Sequence, residues 1–217
     1  MYDYVEDKEF LSKMRGLCGT IMQELCHTLK EEYEISTISY LVGSGAKNLI
    51  MQNENNPIDL DYNLEIVKCN DINNCRLIKE NVRKAFNLVL HKHGWSDCQD
   101  STAVLTTEKR HFTNGNNTEF SIDVCISAVG SDDVRYRLIH KKTGFSYNDQ
   151  YVWEEAPNSK GMSKKVKHIK DQGKWQLVRD QYRDIRNRYL RQNDYNHPAF
   201  VCYIEAVNNV YNSRSHW

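Results

Sequence analysis

Proline and glycine are scarce in this chain. Its 217 residues include 3 prolines and 10 glycines, and no segment is of low complexity. Long mobile linkers are built from glycine, serine and proline, so this composition excludes two domains joined by a flexible tether. The length suits one large domain, or one domain with a helical appendage.

Long hydrophobic runs and an excess of either charge are also absent. No segment reaches the roughly 18 apolar residues that a membrane-spanning helix needs. The first ten residues, "MYDYVEDKEF", are acidic and polar, unlike a signal peptide. The 29 basic and 29 acidic residues give a formal net charge of 0. Overall charge therefore favours neither nucleic acid nor a membrane surface, and we expect no membrane association.

Cysteine is present, but its pattern excludes two familiar uses. The seven cysteines are an odd number and include no C-x-x-C pair, so neither a disulfide framework nor a zinc site is supported. Most have apolar neighbours and are expected to be small core residues. A reduced, cytoplasmic setting is the simplest explanation.

The hydrophobic pattern predicts helices alternating with short strands. Predicted helices cover 6–33, 45–52, 71–93, 162–171, 174–192 and 197–212, and predicted strands cover 36–42, 58–66, 101–108, 118–127, 133–141 and 145–153. This order indicates an α+β fold with a small mixed β-sheet and flanking helices. We expect a core over 1–155 and a C-terminal helical part over 156–217 that packs on it.

Two aspartates interrupt the apolar pattern of the predicted strand 58–66. Successive side chains of a strand point to opposite faces, so Asp59 and Asp61 share one face and the apolar residues share the other. The same parity in "FSIDVCI", residues 120–126, places Asp123 opposite the apolar face of its strand. If the two strands are neighbours, three carboxylates converge on one side of one sheet.

These acids have a simple alternative explanation, as solvent-facing residues of amphipathic strands. Aspartate is depleted in strands, however, so a D-x-D within one is unexpected. Three close carboxylates repel each other unless a cation joins them. Carboxylate oxygens are preferred ligands of Mg²⁺, and a two-metal site relieves the repulsion.

A glycine-serine turn precedes the acids. Gly43, Ser44 and Gly45 lead into a predicted helix, where backbone N–H groups and the helix dipole favour an anion. Glycine lets a phosphate approach the backbone, and Ser44 adds a hydroxyl donor. Lys47, one turn later, either reaches a phosphate or is an ordinary exposed lysine.

Gly43-Ser44, then Asp59-Leu60-Asp61, then Ile122-Asp123-Val124, resemble the signature of the polymerase-β-type nucleotidyltransferase superfamily. Its pattern is a G-S turn, a D-x-D or D-x-E strand about ten or more residues later, and a third acid on a following strand. Antibiotic nucleotidyltransferases, poly(A) and CCA-adding enzymes, and oligoadenylate and cyclic-nucleotide synthases belong to it. The resemblance covers roughly residues 36–127 and implies a minimal, bacterial-like member with a nucleotidyltransferase-like core.

The resemblance also implies roles for the motif residues. Asp59 and Asp61 would hold two Mg²⁺ ions, with Mn²⁺ as the alternative, together with the triphosphate. Asp123 would bind the catalytic metal and help to activate the attacking hydroxyl. Gly43 and Ser44 would hold the β- and γ-phosphates. The acceptor oxygen would attack the α-phosphate and expel pyrophosphate.

A basic stretch follows the predicted sheet. Residues 160–191 contain 11 lysines and arginines against three aspartates. The stretch is either a solvated helix face, a triphosphate clamp or a nucleic-acid contact. Lys164, Lys165 and Lys167 are the candidates for the clamp. An apolar stripe at helical spacing in the same stretch is expected to be core: Trp175, Val178, Tyr182, Ile185 and Tyr189.

The sequence therefore predicts an enzyme, a Mg²⁺-dependent nucleotidyltransferase. Its donor is a nucleoside triphosphate, with ATP as the default, and its hydroxyl acceptor is unidentified: a small molecule, nucleotide, protein or RNA end. Two alternatives stay open. One is a nucleotide-binding regulatory module without turnover, and the other is nucleotidyl transfer directed to an RNA end or oligonucleotide.

Overall fold

A computed structural model describes residues 1–157, 161–194 and 197–217. Its helices are α1 (Lys8–Tyr33), α2 (Gly43–Lys47), α3 (Cys75–Lys92), α4 (Met162–Asp171), α5 (Trp175–Arg191) and α6 (Ala199–Asn212). Its strands are β1 (Tyr2–Tyr4), β2 (Ser36–Leu41), β3 (Met51–Asn53), β4 (Ile58–Lys68), β5 (Gln99–Asp100), β6 (Leu105–Thr106), β7 (Phe120–Val129), β8 (Arg135–Lys141) and β9 (Gln150–Glu155). Short 3-10 turns cover Ser146–Asn148 and Arg214–His216.

The chain folds into two compact units. The sheet unit comprises Asp7–Asn48 and Pro57–Ala156, and the helical unit comprises Met1–Glu6, Leu49–Asn56 and Pro157–Trp217. The helical unit therefore draws on three separate segments of the chain. The division of the chain into domains at 155 and 156 stays a prediction.

A seven-stranded mixed sheet forms the centre of the sheet unit. β4 lies between β2, which is antiparallel to it, and β7, which is parallel to it. The other edge of β7 is shared: β6 pairs with it at Val124 and Asp123, and β8 pairs with it from Ser127 onward. β5 extends the sheet beyond β6, and β9 extends it beyond β8. The predicted α+β class with a small mixed sheet is confirmed.

The long helix α1 packs on the apolar face of this sheet. The carboxylate of Asp7 accepts the Phe10 N–H at 2.9 Å and caps the helix. The Phe10 ring meets Phe120 of β7 edge to face, with ring centroids 6.3 Å apart. Further buried residues recur along one side of α1: Met14, Cys18, Ile21, Leu25 and Leu29. Their burial follows from the three- and four-residue spacing in the sequence.

A buried polar network joins α3 to β5 and β8. The Lys79 side chain is 3% exposed, and its Nζ lies 2.7 Å from Asp100 Oδ1. His140 bridges Asp100 and Asp149 through its two ring nitrogens, at 2.9 Å each. The Lys79 ammonium also donates to the Ser101 carbonyl at 2.8 Å. Burial lowers the pKa of Lys79, and Asp100 opposes that shift.

The helical unit has its own hydrophobic core. The predicted stripe on α5 is confirmed: Val178, Tyr182 and Ile185 are buried against residues of α6, and Leu49 joins the same cluster. β1 pairs antiparallel with β3. The side chain of Asn187 on α5 accepts the Tyr2 N–H at 2.8 Å and donates to the Tyr2 carbonyl at 2.9 Å.

Two predictions about local structure were wrong, and one strand was not predicted. The helix predicted over 45–52 begins at Gly43 and ends at Lys47, because Asn48 adopts a left-handed conformation with φ 57°. The chain then continues as β3. The single strand predicted over 101–108 is a turn followed by the two-residue strand β6. The acidic N-terminal segment, for which no structure was predicted, contains β1.

Two expectations about composition can be compared with the structure. No helix within residues 1–157, 161–194 and 197–217 is long and apolar enough to cross a membrane. All seven cysteines are free thiols in the structure. Four of them are buried, namely Cys18, Cys75, Cys98 and Cys202.

Candidate active site

The parallel pairing of β4 with β7 brings the three predicted acids together on one face. Asp61 lies directly beside Asp123 in the register, and Asp59 lies beside Ser121. The residues between them are buried on the opposite face: Ile58, Leu60, Tyr62, Phe120, Ile122 and Val124. The predicted strand parity is therefore confirmed, and the condition for the acids to converge, that the two strands are neighbours, is met. The catalytic roles of the acids stay predictions.

Hydroxyl groups hold two of the three carboxylates. Ser121 Oγ donates to Asp59 Oδ1 at 2.5 Å, across the β4–β7 pair. Thr106 Oγ1 donates to Asp123 Oδ1 at 2.5 Å from β6, where Thr106 is the register partner of Asp123. Each hydroxyl therefore helps to fix the orientation of its carboxylate.

Burial and mutual repulsion perturb the acids. Burial, with the nearby carboxylates of Asp123 and Asp59, raises the pKa of Asp61 to about 6, and Lys47 opposes that shift. Burial and Asp59 also raise the pKa of Asp123, against the opposing effect of the Thr106 hydrogen bond. Carboxylates whose negative charge is disfavoured in this way gain stability when a cation neutralises them.

The glycine-serine turn lies directly against Asp61. The Val42 N–H donates to the Asp61 carbonyl at 2.8 Å, which ties the end of β2 to β4. Gly43 has φ +60°, and a Cβ atom there would lie 2.1 Å from Asp61 Oδ2. No side chain fits at position 43 with Asp61 in this place. The glycine is therefore required both by its backbone conformation and by the carboxylate.

The other residues of the turn also lie near the acids. Lys47 donates from Nζ to the Gly43 carbonyl at 3.1 Å, and its charge acts on Asp61. The Ser44 carbonyl accepts the N–H of Asn48, which closes the short helix α2. Gly43 and Lys47 thus lie close to Asp61, and Ser44 follows Gly43 in the turn. Their binding of phosphate stays a prediction.

The donor set suits a divalent cation by its chemistry. Asp59, Asp61 and Asp123 offer the oxygen ligands that Mg²⁺ prefers. Among the residues that the structure describes, no three His, Cys, Asp or Glu side chains are arranged to hold an ion as they stand.

The three predicted clamp lysines lie on α4, in the helical unit. Lys165 donates to Asn208 Oδ1 at 2.7 Å and lies over the ring of Tyr211. Lys167 forms an exposed ion pair with Asp171 at 2.6 Å, and Lys164 is exposed. A triphosphate clamp made of these lysines stays a prediction. Lys160, from the same basic stretch, lies outside the described residues.

The sequence did not identify Thr106 as part of the site. The hydroxyl of Thr106 matters because β6 pairs with β7 opposite Asp123, and a two-residue strand has no detectable periodicity. Ser121 was placed on the acidic face by strand parity, but its hydrogen bond to Asp59 depends on the register between β4 and β7. For these two hydrogen bonds the sequence gives one signal: a residue with a hydroxyl group, Ser121 or Thr106, lies on a strand beside the acid that it contacts.

Solved structures share this fold. CdnC of Escherichia coli MS115-1 in a complex with HORMA-deltaN matches with a TM-score of 0.54 and 17% identity, over 96% of this chain and 61% of that chain. The same protein with ATP matches with a TM-score of 0.53 and 15% identity, over 92% and 60%. The Vibrio cholerae DncV cyclic AMP-GMP synthase with a linear intermediate matches with a TM-score of 0.56 and 10% identity, over 84% and 63%.

This chain spans about three fifths of the length of those structures. No protein-family model matches the chain, and no curated protein is significantly similar to it in sequence. At identities of 10 to 17%, the structural likeness defines the fold. The chain has the fold of the polymerase-β-type nucleotidyltransferases.

Proposed function

We propose that this protein is a metal-dependent nucleotidyltransferase. It transfers a nucleoside monophosphate from a nucleoside triphosphate to a hydroxyl acceptor and releases pyrophosphate. The observation that carries this proposal is the parallel pairing of Asp61 with Asp123, with Asp59 on the same face and Gly43 against Asp61. The fold shared with CdnC, solved with ATP, and with the DncV synthase supports the same chemistry.

The three acids are the proposed metal ligands. Asp59 and Asp61 would hold two Mg²⁺ ions, and Asp123 would hold the ion next to the acceptor hydroxyl, with Mn²⁺ as the alternative ion. When bound, the ions supply charge stabilisation for the transferring phosphoryl group and lower the pKa of the attacking hydroxyl. The chain itself contributes the placement of the carboxylates, because Ser121 and Thr106 each fix one oxygen.

The turn beside Asp61 is the proposed phosphate-binding element. Gly43 brings the backbone within reach of a phosphate, Ser44 adds a hydroxyl donor, and Lys47 adds a positive charge. Catalysis of phosphoryl transfer depends mainly on stabilising the charge that develops on the transferred group, so donors fixed beside the acids would lower the barrier. We propose ATP as the donor to test first, since CdnC was solved with ATP.

The test compares one site variant with a matched control. The protein is incubated with Mg²⁺ and each nucleoside triphosphate, and nucleotide binding and pyrophosphate release are measured. Asp61→Asn keeps the size of the side chain but removes its charge, and we expect it to abolish turnover. Asp97→Asn, which changes an exposed aspartate paired with His91 in the same unit, should leave activity unchanged.

The outcomes separate the proposal from its first alternative. No nucleotide binding at millimolar concentration, or binding and turnover that do not change in Asp61→Asn, would refute the proposal. Binding that depends on Asp61 but yields no pyrophosphate with any acceptor would indicate a regulatory module without turnover.

No contact in the described residues of the helical unit favours transfer to a nucleic-acid end over transfer to another acceptor. Three of the cations of α5 contact groups of their own unit. Arg179 lies 3.9 Å from the centroid of the Tyr4 ring, and Arg186 lies 4.1 Å from that of Tyr2. Arg188 forms an ion pair with Glu205 at 2.9 Å. A steep loss of oligonucleotide binding with added salt would favour that alternative.

The cytoplasmic location also belongs to this proposal. Seven free cysteines support it, because disulfides are rare where the cell keeps thiols reduced. Localisation of the tagged protein in cells is the direct measurement.

A further inference from the structure

Cations of β8 extend the acidic face of the sheet beyond Asp123. Arg137 is the register partner of Ser127, and directly opposed residues of an antiparallel pair point to the same face. Ser127 shares its face with Asp123 and Cys125, because these residues alternate along β7. Arg135 and Lys141 have the same parity as Arg137 on β8, so three cations follow the acids on this face.

The two outer cations form ion pairs with carboxylates, whereas the central cation forms none with a described residue, although, after the Lys141 hydrogen bond, its charge helps to lower the pKa of Glu154. Arg135 pairs with Glu65 at 2.6 Å, and Lys141 pairs with Glu154 at 2.7 Å. Glu154 is the register partner of Arg137 on β9, yet its ion pair is with Lys141. Within the described part of the chain, the side chain of Arg137 has no ion pair or hydrogen bond, and its Nε is buried without an acceptor.

A buried N–H without an acceptor is unfavourable. The guanidinium group is planar and presents its donors as a fork that matches the oxygens of a phosphate or carboxylate. A bound anion would therefore satisfy a group that the fold leaves unsatisfied. Structural arginines, by contrast, are expected to have partners such as Glu65 provides for Arg135.

Arg137 and the proposed phosphate-binding turn lie on opposite sides of the acids in the sheet. Gly43 adjoins Asp61 from the β2 side of β4, whereas Arg137 lies on β8, beyond β7. Ser127 is four residues past Asp123, which is about 13 Å along the strand. Because Ser127 is the register partner of Arg137 and alternates with Cys125 and Asp123 along β7, the cation and the acids lie on the same face of the sheet.

We propose that Arg137 is a specificity-determining residue that binds an anionic group, phosphate or carboxylate, on the acceptor. This inference rests on the proposed function, because it assigns the acceptor to the flank of Asp123 that is opposite to the triphosphate. It excludes uncharged and cationic hydroxyl compounds as the preferred acceptors.

Three matched probes test the inference: adenosine, its 5′-carboxylate and its 5′-phosphate. Each is titrated by calorimetry into the wild-type protein, Arg137→Gln, Arg137→Lys and the control Arg135→Gln. Wild type and the control should bind an anionic probe about 10- to 100-fold more tightly than adenosine. Arg137→Gln should lose that difference, and Arg137→Lys should keep only part of it. The anionic probe that binds more tightly identifies the preferred group.

A stability measurement separates binding from a structural role. Because Arg137 has no partner to lose among the described residues, Arg137→Gln should unfold at the same temperature as the wild type or at a higher one. The inference would be overturned if Arg137→Gln bound both anionic probes as tightly as the wild type does. A lower unfolding temperature of Arg137→Gln with unchanged probe binding would show that Arg137 has a structural role instead.

The same probes, used as acceptors with Mg²⁺ and ATP, distinguish this inference from the proposed function. Binding that depends on Arg137 without any pyrophosphate release would support the anion site and refute the transferase. Pyrophosphate release with the same acceptor KM in wild type and Arg137→Gln would support the transferase and overturn the inference.

Discussion

Substitution of Gly43 by alanine tests whether the turn and the acid are interdependent. Two effects act at this position. A residue other than glycine at φ +60° costs about 1 kcal/mol or slightly more. The added Cβ would also lie 2.1 Å from Asp61 Oδ2, so the carboxylate must leave its place, which costs about 1 kcal/mol in side-chain strain. We expect Gly43→Ala to lower the free energy of unfolding by about 2 kcal/mol.

Gly94 provides a matched control in the same unit. It has φ +71°, and a Cβ atom there would meet nothing within 4 Å. Gly94→Ala therefore reports the backbone effect alone, about 1 kcal/mol. The free energy of unfolding of each variant is measured by urea unfolding followed by circular dichroism. The difference between the losses in Gly43→Ala and Gly94→Ala is the contribution of the contact with Asp61.

A double-mutant cycle then identifies the partner. In an Asp61→Ala background the clash disappears, so Gly43→Ala should cost only as much as Gly94→Ala does, a coupling of about 1 kcal/mol. Equal effects of Gly43→Ala and Gly94→Ala in the wild-type background would refute the reasoning. So would a Gly43→Ala penalty that persists without the Asp61 side chain.

Three further predictions concern the acids and the buried network. Thr106→Val removes the hydroxyl that fixes Asp123 Oδ1, so it should lower kcat and Mn²⁺ affinity about tenfold or more, whereas Thr106→Ser should retain both. The pKa of Asp61 is raised from 3.8 to about 6 in the folded protein. Between these two pH values the folded state therefore keeps a proton on Asp61 that the unfolded state has released. Without metal, the free energy of unfolding of the wild type, relative to that of Asp61→Asn, should therefore fall as the pH rises from about 4 to about 7. A difference between the urea midpoints of the two proteins that does not change with pH would contradict this. Lys79→Met breaks a buried ion pair and should lower the free energy of unfolding by about 3 kcal/mol or more, whereas Lys167→Met, in an exposed pair, should have little effect.

Much of the fold was predictable because its signals are local. The spacing of apolar residues predicted α1, α3 and α5, since each of these helices buries one continuous side. Alternation in "IDLDYNL" predicted the faces of β4, because a strand buried on one side must alternate. The expectation that β4 and β7 lie side by side depended on the family resemblance, since strand parity alone does not identify neighbouring strands.

The parts that were missed depend on distant segments. Tyr2 to Tyr4 form a strand only because β3 and Asn187 satisfy their backbone groups. The segment after Lys47 resembles a continuing helix, but Leu49 is buried in the core of the helical unit instead. Thr106 acts on Asp123 through a pairing of only two residues. Tertiary context overrides local propensity in each of these cases.

The three-segment composition of the helical unit has a consequence for the order in which the protein can be made. Tyr2 and the Asn187 side chain that pairs with its backbone are separated by 185 residues. At translation rates of about 5 to 20 residues per second, the partner emerges roughly 10 to 40 seconds after Tyr2. During that interval Leu49 also lacks the α5 and α6 residues that bury it. The sheet unit can therefore fold on the ribosome first, while the helical unit must wait until α5 and α6 have been made.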